Sequence, residues 1–275
     1  MTTADVRFAF AKMHGAGNDY VIVDGFDHPR AIEQGGEIAK SVSDRRFGIG
    51  SDGLITLGPS ERADVRMWMW NADGSRGAMC GNGLRMLTCF ARERERVARD
   101  DFRVETDSGI QSVTALRDLE GRWFGARVTM PTVEIAEHPA PIAIDAMSTE
   151  FWAVDVGNPH AVVLVDSDPE SLPLAELAAA VRRLPRFPDG VNVELVRVGA
   201  SDILQQRTDE RGSGETFACG SGATASAMVA MRLGRLQGPT AAVDMRGGRV
   251  LVHRIDDRHA ELEGPVVTVF RGFVA

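Results

Sequence analysis

At 275 residues, with 44% hydrophobic and 25% charged side chains, the chain has the makings of one large or two ordinary soluble domains with real cores. A formal charge of −8 argues against a nucleic-acid partner and against a membrane surface. The opening MTTADVRFAF lacks the basic-then-apolar layout of a secretory signal, and no apolar run reaches the length of a membrane span. Three cysteines, an odd number, fit a reduced cytoplasm better than a disulfide framework.

Val6, Phe8 and Phe10 alternate, the pattern breaks at Gly15–Gly17, and Tyr20-Val21-Ile22-Val23 resumes it, which predicts strand, turn, strand. Ile32, Ile38 and Val42 give residues 31–43 a helical spacing. A Gly-rich loop follows at Asp44–Gly53, then a predicted strand pair at 54–57 and 63–70 that feeds the first cysteine loop. Leu84, Leu87 and Ala91 predict a helix opening at Cys80. The continuation ARERERVARD, residues 91–100, interleaves Arg with Glu and reads as a solvated helix face, with Glu95 four residues before Arg99. Strands are predicted near 102–105, 111–116 and 126–130. The proline-rich stretch 130–144 is the best candidate for a crossing between domains.

The second half repeats this order loosely. Predicted strands at 151–156 and 161–165 flank Gly157-Asn158-Pro159-His160. A helix at 174–184 and a turn at Phe187-Pro188-Asp189-Gly190 lead into a strand at 191–198. The second cysteine loop opens the run 223–233, apolar on every side and so a fully buried helix. Strands at 243–252 and 260–270 close the chain. The pattern is a strand-rich α/β fold in two similar halves, each wrapping a sheet round a central helix that begins at a cysteine.

Those two cysteines open the same phrase, Cys80-Gly81-Asn82-Gly83 and Cys219-Gly220-Ser221-Gly222. A thiol, with a pKa of about 8.5, becomes more acidic at a helix N-terminus. Two of them, one deprotonated and one protonated on opposite sides of a carbon, form the acid/base pair of a racemase or epimerase. Glycines in an opening helical turn are unfavourable unless something must come close. A substrate carboxylate over the N–H groups of Gly81, Asn82, Gly220 and Ser221 is the natural candidate. Cys89, inside the first helix, reads as a small buried hydrophobe.

Glu210 and His160 are the nearby candidates for setting the thiol protonation states, against a bland reading of each as a solvated loop acid and a turn residue. Asn18, Asn71, Asn158 and Asn192 sit at strand ends or beside Gly or Pro, where turn chemistry accounts for them equally well. Only Lys12 and Lys40 are lysines, and neither has the context of a Schiff-base lysine, so the expectation is catalysis without pyridoxal phosphate or any other cofactor. There is no Cys-x-x-Cys or His-x-x-x-His and the six His are scattered, so no metal site is expected.

Taken together, Lys12–Tyr20 (KMHGAGNDY), Asn71–Ser75 (NADGS), Cys80–Gly83, Gly157–His160, Phe187–Asn192 (FPDGVN), Glu210-Arg211-Gly212, Gly214-Glu215-Thr216 and Cys219–Gly222 resemble the diaminopimelate epimerase family, in the family's order and over nearly the whole chain. The resemblance implies an α+β fold of two pseudo-symmetric domains, each a mixed, mostly antiparallel barrel-like sheet round a central helix, with the active site in the cleft between them. The domains would be 1–122 plus 266–275, carrying Cys80, and 123–265, carrying Cys219.

It implies roles as well. Cys80 and Cys219 would be the acid/base thiols, tuned by His160 and Glu210. Gly81, Asn82, Gly220 and Ser221 would bind the carboxylate at the reacting centre. Asn18, Asn71, Asn158, Asn192 and Arg211, with Glu210, would complete the substrate site. The substrate would be diaminopimelate, interconverted between its LL and meso forms, and the enzyme a cytoplasmic homodimer. The alternatives are a racemase of another amino acid on the same fold and, from a different class, a thiol–disulfide redox protein. Three departures stand out: Gly53 where many members carry Gln, Arg76 where an acid is common, and Thr208-Asp209 in place of an apolar or aromatic pair.

Overall fold

The N-terminal alternation is a hairpin. β1 (Phe8–Gly15) and β2 (Asn18–Asp24) are joined by Ala16-Gly17, both at positive φ (52° and 85°), the two-residue turn whose twist suits antiparallel strands. The computed structural model describes residues 7–77, 79–144 and 147–274; Val6, at the start of the predicted first strand, lies outside them. The chain divides into two units, the first running to Val128 and resuming at Gly264, the second spanning Thr129–Glu263.

In the first unit, α1 (Arg30–Glu33) and α2 (Gly35–Ser43) replace the single helix expected over 31–43. Gln34 leaves the helical region (φ −113°, ψ 19°), and Gly35 packs so closely on Trp70 that an added Cβ would lie 2.3 Å from the indole. β3 (Gly53–Gly58) runs parallel to β2, and β4 (Val65–Asn71) antiparallel to β3, with the short β5 (Arg76–Gly77) against the end of β4. Then come α3 (Gly81–Glu93), β6 (Asp101–Thr106) parallel to β4, and the antiparallel β7 (Gly109–Arg117) and β8 (Trp123–Thr129).

The helix expected to continue through 91–100 stops at Glu93. Glu95 adopts positive φ (55°), Arg94 and Arg96 pair with Asp24 and Asp27, and Arg99 pairs with Asp64 rather than Glu95.

The second unit begins in the proline-rich stretch, which forms strands: β9 (Glu134–Ile135) and β10 (Ala140–Ile144) both pair with β11 (Met147–Asp155). β12 (Pro159–Leu164) is antiparallel to β11, α4 (Leu174–Arg182) crosses over, and β13 (Asn192–Val198) lies parallel to β12. β14 (Ile203–Glu210), antiparallel to β13, is a strand the sequence reading missed. Of its inward positions Leu204, Gln206 and Thr208, all buried, only the first is apolar, so no apolar alternation marks it. β15 (Gly214–Thr216) folds back on β14. α5 (Gly220–Arg232) follows, then β16 (Thr240–Met245) parallel to β14, and β17 (Gly248–Arg254) and β18 (Ala260–Pro265) in antiparallel order. β19 (Val267–Val274) returns to the first unit and pairs with β1.

The duplicated sequence is thus a duplicated topology. β1–β8 without the helices (antiparallel, parallel, antiparallel, a short return strand, parallel, then two antiparallel pairs) is matched pair for pair by β11–β18. α3 and α5 occupy the same place in each, after the short return strand. α5 touches β11, β12, β13, β14, β16 and β17, and every residue from Gly222 to Met231 is buried, while Arg232 and Leu233, the end of the run expected to be buried throughout, are exposed. The outer cores lie under α2 (Phe8, Val21, Val23, Ile38, Val42, Leu54, Trp70) and under α4 (Phe151, Val163, Leu177, Val181, Val193, Leu195). Among the described residues no helix is long and apolar enough to cross a membrane.

Candidate active site

Each cysteine is the N-cap of its unit's central helix. Cys80 (φ −137°, ψ 122°) and Cys219 (φ −127°, ψ 110°) are extended, and their Sγ atoms accept from the N–H three residues on, Gly83 at 3.5 Å and Gly222 at 3.4 Å. The next N–H groups, of Leu84 and Ala223, bond the cysteine carbonyls at 2.8 and 2.9 Å. That leaves the N–H groups of Gly81 and Asn82, and of Gly220 and Ser221, without an intrahelical acceptor at the positive end of a helix dipole. Such a pair of donors suits a carboxylate. The second glycine of each motif has a different reason from the one expected. A Cβ at Gly83 would lie 2.6 Å from Ile55 Cδ1, and one at Gly222 2.5 Å from Glu194 Oε1, so protein side chains occupy that space.

Around Cys80, the thiol donates to Asn18 Oδ1 (3.3 Å), which also accepts from Asn82 Nδ2 (3.4 Å). Asn18 Nδ2 donates to Asp52 Oδ2 (2.6 Å), and Arg45 holds Asp52 and Asp19 together from outside. Burial raises the Tyr20 hydroxyl pKa, and the neighbouring Cys80 and Asp52 raise it further. Lys12 is buried and tied to Asp19 and the Gly50 carbonyl. Asn71 lies across β3 from this group, its Nδ2 donating to Ser75 Oγ at 2.9 Å. Cys89 donates to Gly125 O (3.1 Å), and burial pushes its pKa up to about 12, the inert buried thiol expected.

Around Cys219 the charges are carboxylates. Ser221 Oγ lies 3.5 Å from Cys219 Sγ. Burial pushes the Cys219 thiol well above the ordinary thiol range, and the charges of Glu210 and Glu194 push it further. Glu210 is itself raised, chiefly by burial, while Thr216 Oγ1, donating to its Oε1 at 2.5 Å, opposes the shift. His160 is fully buried, with Nδ1 2.8 Å from Glu194 Oε1 and Nε2 3.1 Å from Asn158 Oδ1. Asn192, beside His160 in the parallel pair of β12 and β13, accepts the Arg211 backbone N–H at 2.8 Å. The Arg211 guanidinium donates to Asp189 O at 3.1 Å.

Sequence reading missed Glu194 and Arg85. Both were visible as charged residues in apolar surroundings, Glu194 in VNVELV and Arg85 in GLRML. Both are fully buried. Among the described residues no group of three His, Cys, Asp or Glu is placed to hold a metal ion.

The family model described as "Diaminopimelate epimerase" matches residues 10–130 and 152–269. A curated diaminopimelate epimerase of Methanothrix thermoacetophila is 39% identical over 98% of this chain and 96% of its own, and one of Geobacillus thermodenitrificans is 40% identical over 96% of each. This chain belongs to the diaminopimelate epimerase family. It is therefore an enzyme of the amino-acid epimerase class, an isomerase. Among solved structures, a Bacillus anthracis phenazine biosynthesis protein of the PhzF family has the same fold, with a TM-score of 0.76 at 15% identity over 98% of this chain and all of that one. A hydroxyproline epimerase from Agrobacterium vitis gives 0.70 at 17%, over 98% and 91%.

Within a diaminopimelate epimerase framework, the three departures have local explanations. Gly53 lies against β4 so tightly that an added Cβ would sit 2.1 Å from Trp70 O and 3.0 Å from Tyr20 Cε1, leaving no room for a longer side chain on this backbone. Arg76 pairs with Asp107 at 2.5 Å and stacks 4.8 Å over the Trp70 ring. Thr208 accepts from Gln206 Nε2 (2.9 Å), and Asp209 pairs with Arg182 (2.6 Å). Both polar side chains therefore have partners, one on β14 and one on α4.

Proposed function

We propose that this enzyme interconverts LL- and meso-2,6-diaminopimelate, in the supply of lysine and of peptidoglycan precursors, by two-base proton transfer between Cys80, Cys219 and the α-carbon. The observation that carries the reading is the repeated cap: in a member of this family, each thiol sits at the head of a buried helix, beside two N–H groups free to hold a carboxylate. One thiolate removes the α-proton, the other thiol delivers a proton to the opposite face, and the N–H donors stabilise the charge that develops on the carboxylate. Gly81, Asn82, Gly220 and Ser221 take that carboxylate. Asn18, Asn71, Asn158, Asn192 and Arg211 serve the distal amino-acid head. Glu210 and His160 set the charge around the thiols, and no cofactor takes part. Each unit would act as one domain of the enzyme, contributing one thiol.

Heavy-water exchange tests this. Reduced, chelator-treated protein incubated with LL-diaminopimelate should incorporate α-deuterium while meso product accumulates. No exchange on this substrate, with all thiols titratable, would overturn it and turn attention to other amino acids, with Gly53 the first residue to vary.

We place the reaction in the cytoplasm, where the three free cysteines stay reduced. We also infer a homodimer. Val267, Val269, Phe270 and Phe273 on the two faces of β19 are all exposed, apolar area that a soluble monomer would not ordinarily leave open on one strand. Phe273→Asp should shift the mass measured by light scattering from dimer to monomer. A wild-type protein that is already monomeric at micromolar concentration would sink the dimer.

A further inference from the structure

Asn18 Oδ1 accepts two hydrogen bonds, from the Cys80 thiol at 3.3 Å and from Asn82 Nδ2 at 3.4 Å. A side-chain amide can turn either end toward a neighbour. Its oxygen, facing a sulfur, accepts an S–H proton, whereas its NH2 in that place would donate to the sulfur. What decides the matter for Asn18 lies at the two ends of a short chain of hydrogen bonds.

At one end is Asp52. Asn18 Nδ2 donates to its Oδ2 at 2.6 Å, the Asp19 N–H donates to the same oxygen at 3.0 Å, and Arg45 holds Oδ1 at 2.9 Å. An ionised carboxylate only accepts, so the NH2 of Asn18 must face it. At the other end is Arg85, fully buried, whose Nη2 donates to Asn82 Oδ1 at 2.7 Å. A guanidinium only donates, so the oxygen of Asn82 must face Arg85 and its NH2 turns toward Asn18. Donation therefore runs one way, from Arg85 to Asn82 to Asn18 to Asp52. Both ends demand the same orientation in the middle, oxygen toward Cys80.

Arg85 is a costly residue to keep there. Its Nε and Nη1 are buried without a hydrogen-bond partner, and no carboxylate pairs with it among the described residues. Gly15 leaves it room, since a Cβ there would lie 3.2 Å from Nη2. The second unit has no such chain. Ser221 stands in the place of Asn82, its hydroxyl 3.5 Å from Cys219 Sγ, and Thr224 in the place of Arg85, bonded to Gly220 O of its own helix. A hydroxyl can turn to donate or accept, so nothing there fixes a direction.

We propose that Arg85 and Asp52 are positioning residues that lock the Asn18 amide, Arg85 by way of Asn82, with its oxygen toward Cys80, and so fix where the Cys80 proton sits. This adds to the distal-head role of Asn18 and rests on the reading of Cys80 as an acid/base thiol. When Cys80 delivers a proton, its S–H bond breaks as the α C–H bond forms, and Asn18 Oδ1 is released. When Cys80 takes the α-proton, the new S–H meets the same acceptor. The sulfur gains or loses one negative charge, and nothing is oxidised. The Gly83 N–H, 3.5 Å away, donates to the same sulfur in either state.

The test is infrared difference spectroscopy of the S–H stretch, a band clear of other protein absorption, on ligand-free enzyme at neutral pH. Subtracting the matching Cys80→Ala protein isolates the Cys80 band in each case. In wild type it should be present, and lower in frequency than a free thiol, as a hydrogen-bonded S–H is. Asp52→Ala, at a partly exposed site where the fold should survive, should move the band to the free-thiol position with the Cys89 band unmoved. Asp52→Asn, whose oxygen can still accept from Asn18, should leave it in place. Arg85→Met should act as Asp52→Ala does. Both disrupting variants should lower kcat about fivefold, the weight of one hydrogen bond, and Asp52→Asn should recover most of it. A wild-type Cys80 band that is absent or sits at the free-thiol frequency overturns the proposal even if Arg85→Met does not fold, and so does a band that Asp52→Ala leaves in place. Turnover by Cys80→Ala separates the two readings. Full activity there, with the band shifts as expected, would leave the amide chain standing and sink the two-thiol reaction.

Discussion

Cys80→Ala and Cys219→Ala should each lower kcat for epimerisation by about 10³-fold or more, the weight of a positioned acid or base whose loss no neighbour makes good. The fold should survive, because each change removes one sulfur from an N-cap, a loss of about 1 kcal/mol. The two variants should also fail differently. Each keeps one thiol, so each can still exchange the α-proton on the face that thiol serves while losing the ability to deliver a proton to the other. Deuterium should therefore enter one stereoisomer without inversion, a different isomer for each variant. Exchange and inversion falling in step for both variants, or near-normal turnover in either, would contradict the mechanism.

The pH profile carries a second readout of the same step. Burial and the charges of Glu210 and Glu194 raise the Cys219 pKa, so it keeps its proton to higher pH than an ordinary thiol. The alkaline limb of kcat/KM should then lie above about 8.5. Removing a negative neighbour makes the thiolate easier to form, so Glu210→Gln should move that limb to lower pH. A limb that moves upward or stays put would show that Glu210 does not act on Cys219.

What could be read from the sequence was what repeats. The two Cys-Gly-x-Gly phrases, the helices behind them and the apolar strands were legible because spacing alone carries them. What was lost depended on packing between distant segments. The break at Gly35 is set by Trp70, more than thirty residues on, and no local propensity shows it. β14 hides because two of its three inward residues are Gln206 and Thr208, bonded to each other, with only Leu204 apolar. The second glycine of each cysteine motif was legible as a place of close approach, but not what approaches it: Ile55 at Gly83 and the Glu194 carboxylate at Gly222. His160 was picked out from its Gly-Asn-Pro-His context, yet its partner Glu194 sits within a strand in which a lone acid reads as an outward residue.

That partner is where the largest stability effect is expected. Glu194 and His160 are both fully buried and 2.8 Å apart, so Glu194→Ala strands the His160 Nδ1 and opens a void. The loss should be about 3 kcal/mol or more, lowering the melting temperature by roughly 6–12 °C for a chain of this size. Glu194→Gln keeps the volume and should cost far less. It should also make Cys219 easier to deprotonate, since a buried negative charge beside it is gone. A Glu194→Ala protein melting within about a degree of wild type would mean that the pair bears no load.

The same carboxylate explains Gly222, because a Cβ there would press on Glu194 Oε1 at 2.5 Å. Gly222→Ala should therefore be destabilising in wild type and nearly harmless once Glu194 is Ala, a strongly non-additive cycle. Additive effects would mean instead that Gly222 is needed for its backbone at the head of α5. In that case the resemblance between the two cysteine motifs would reflect a shared need of helix starts rather than two different neighbours fitted to the same gap.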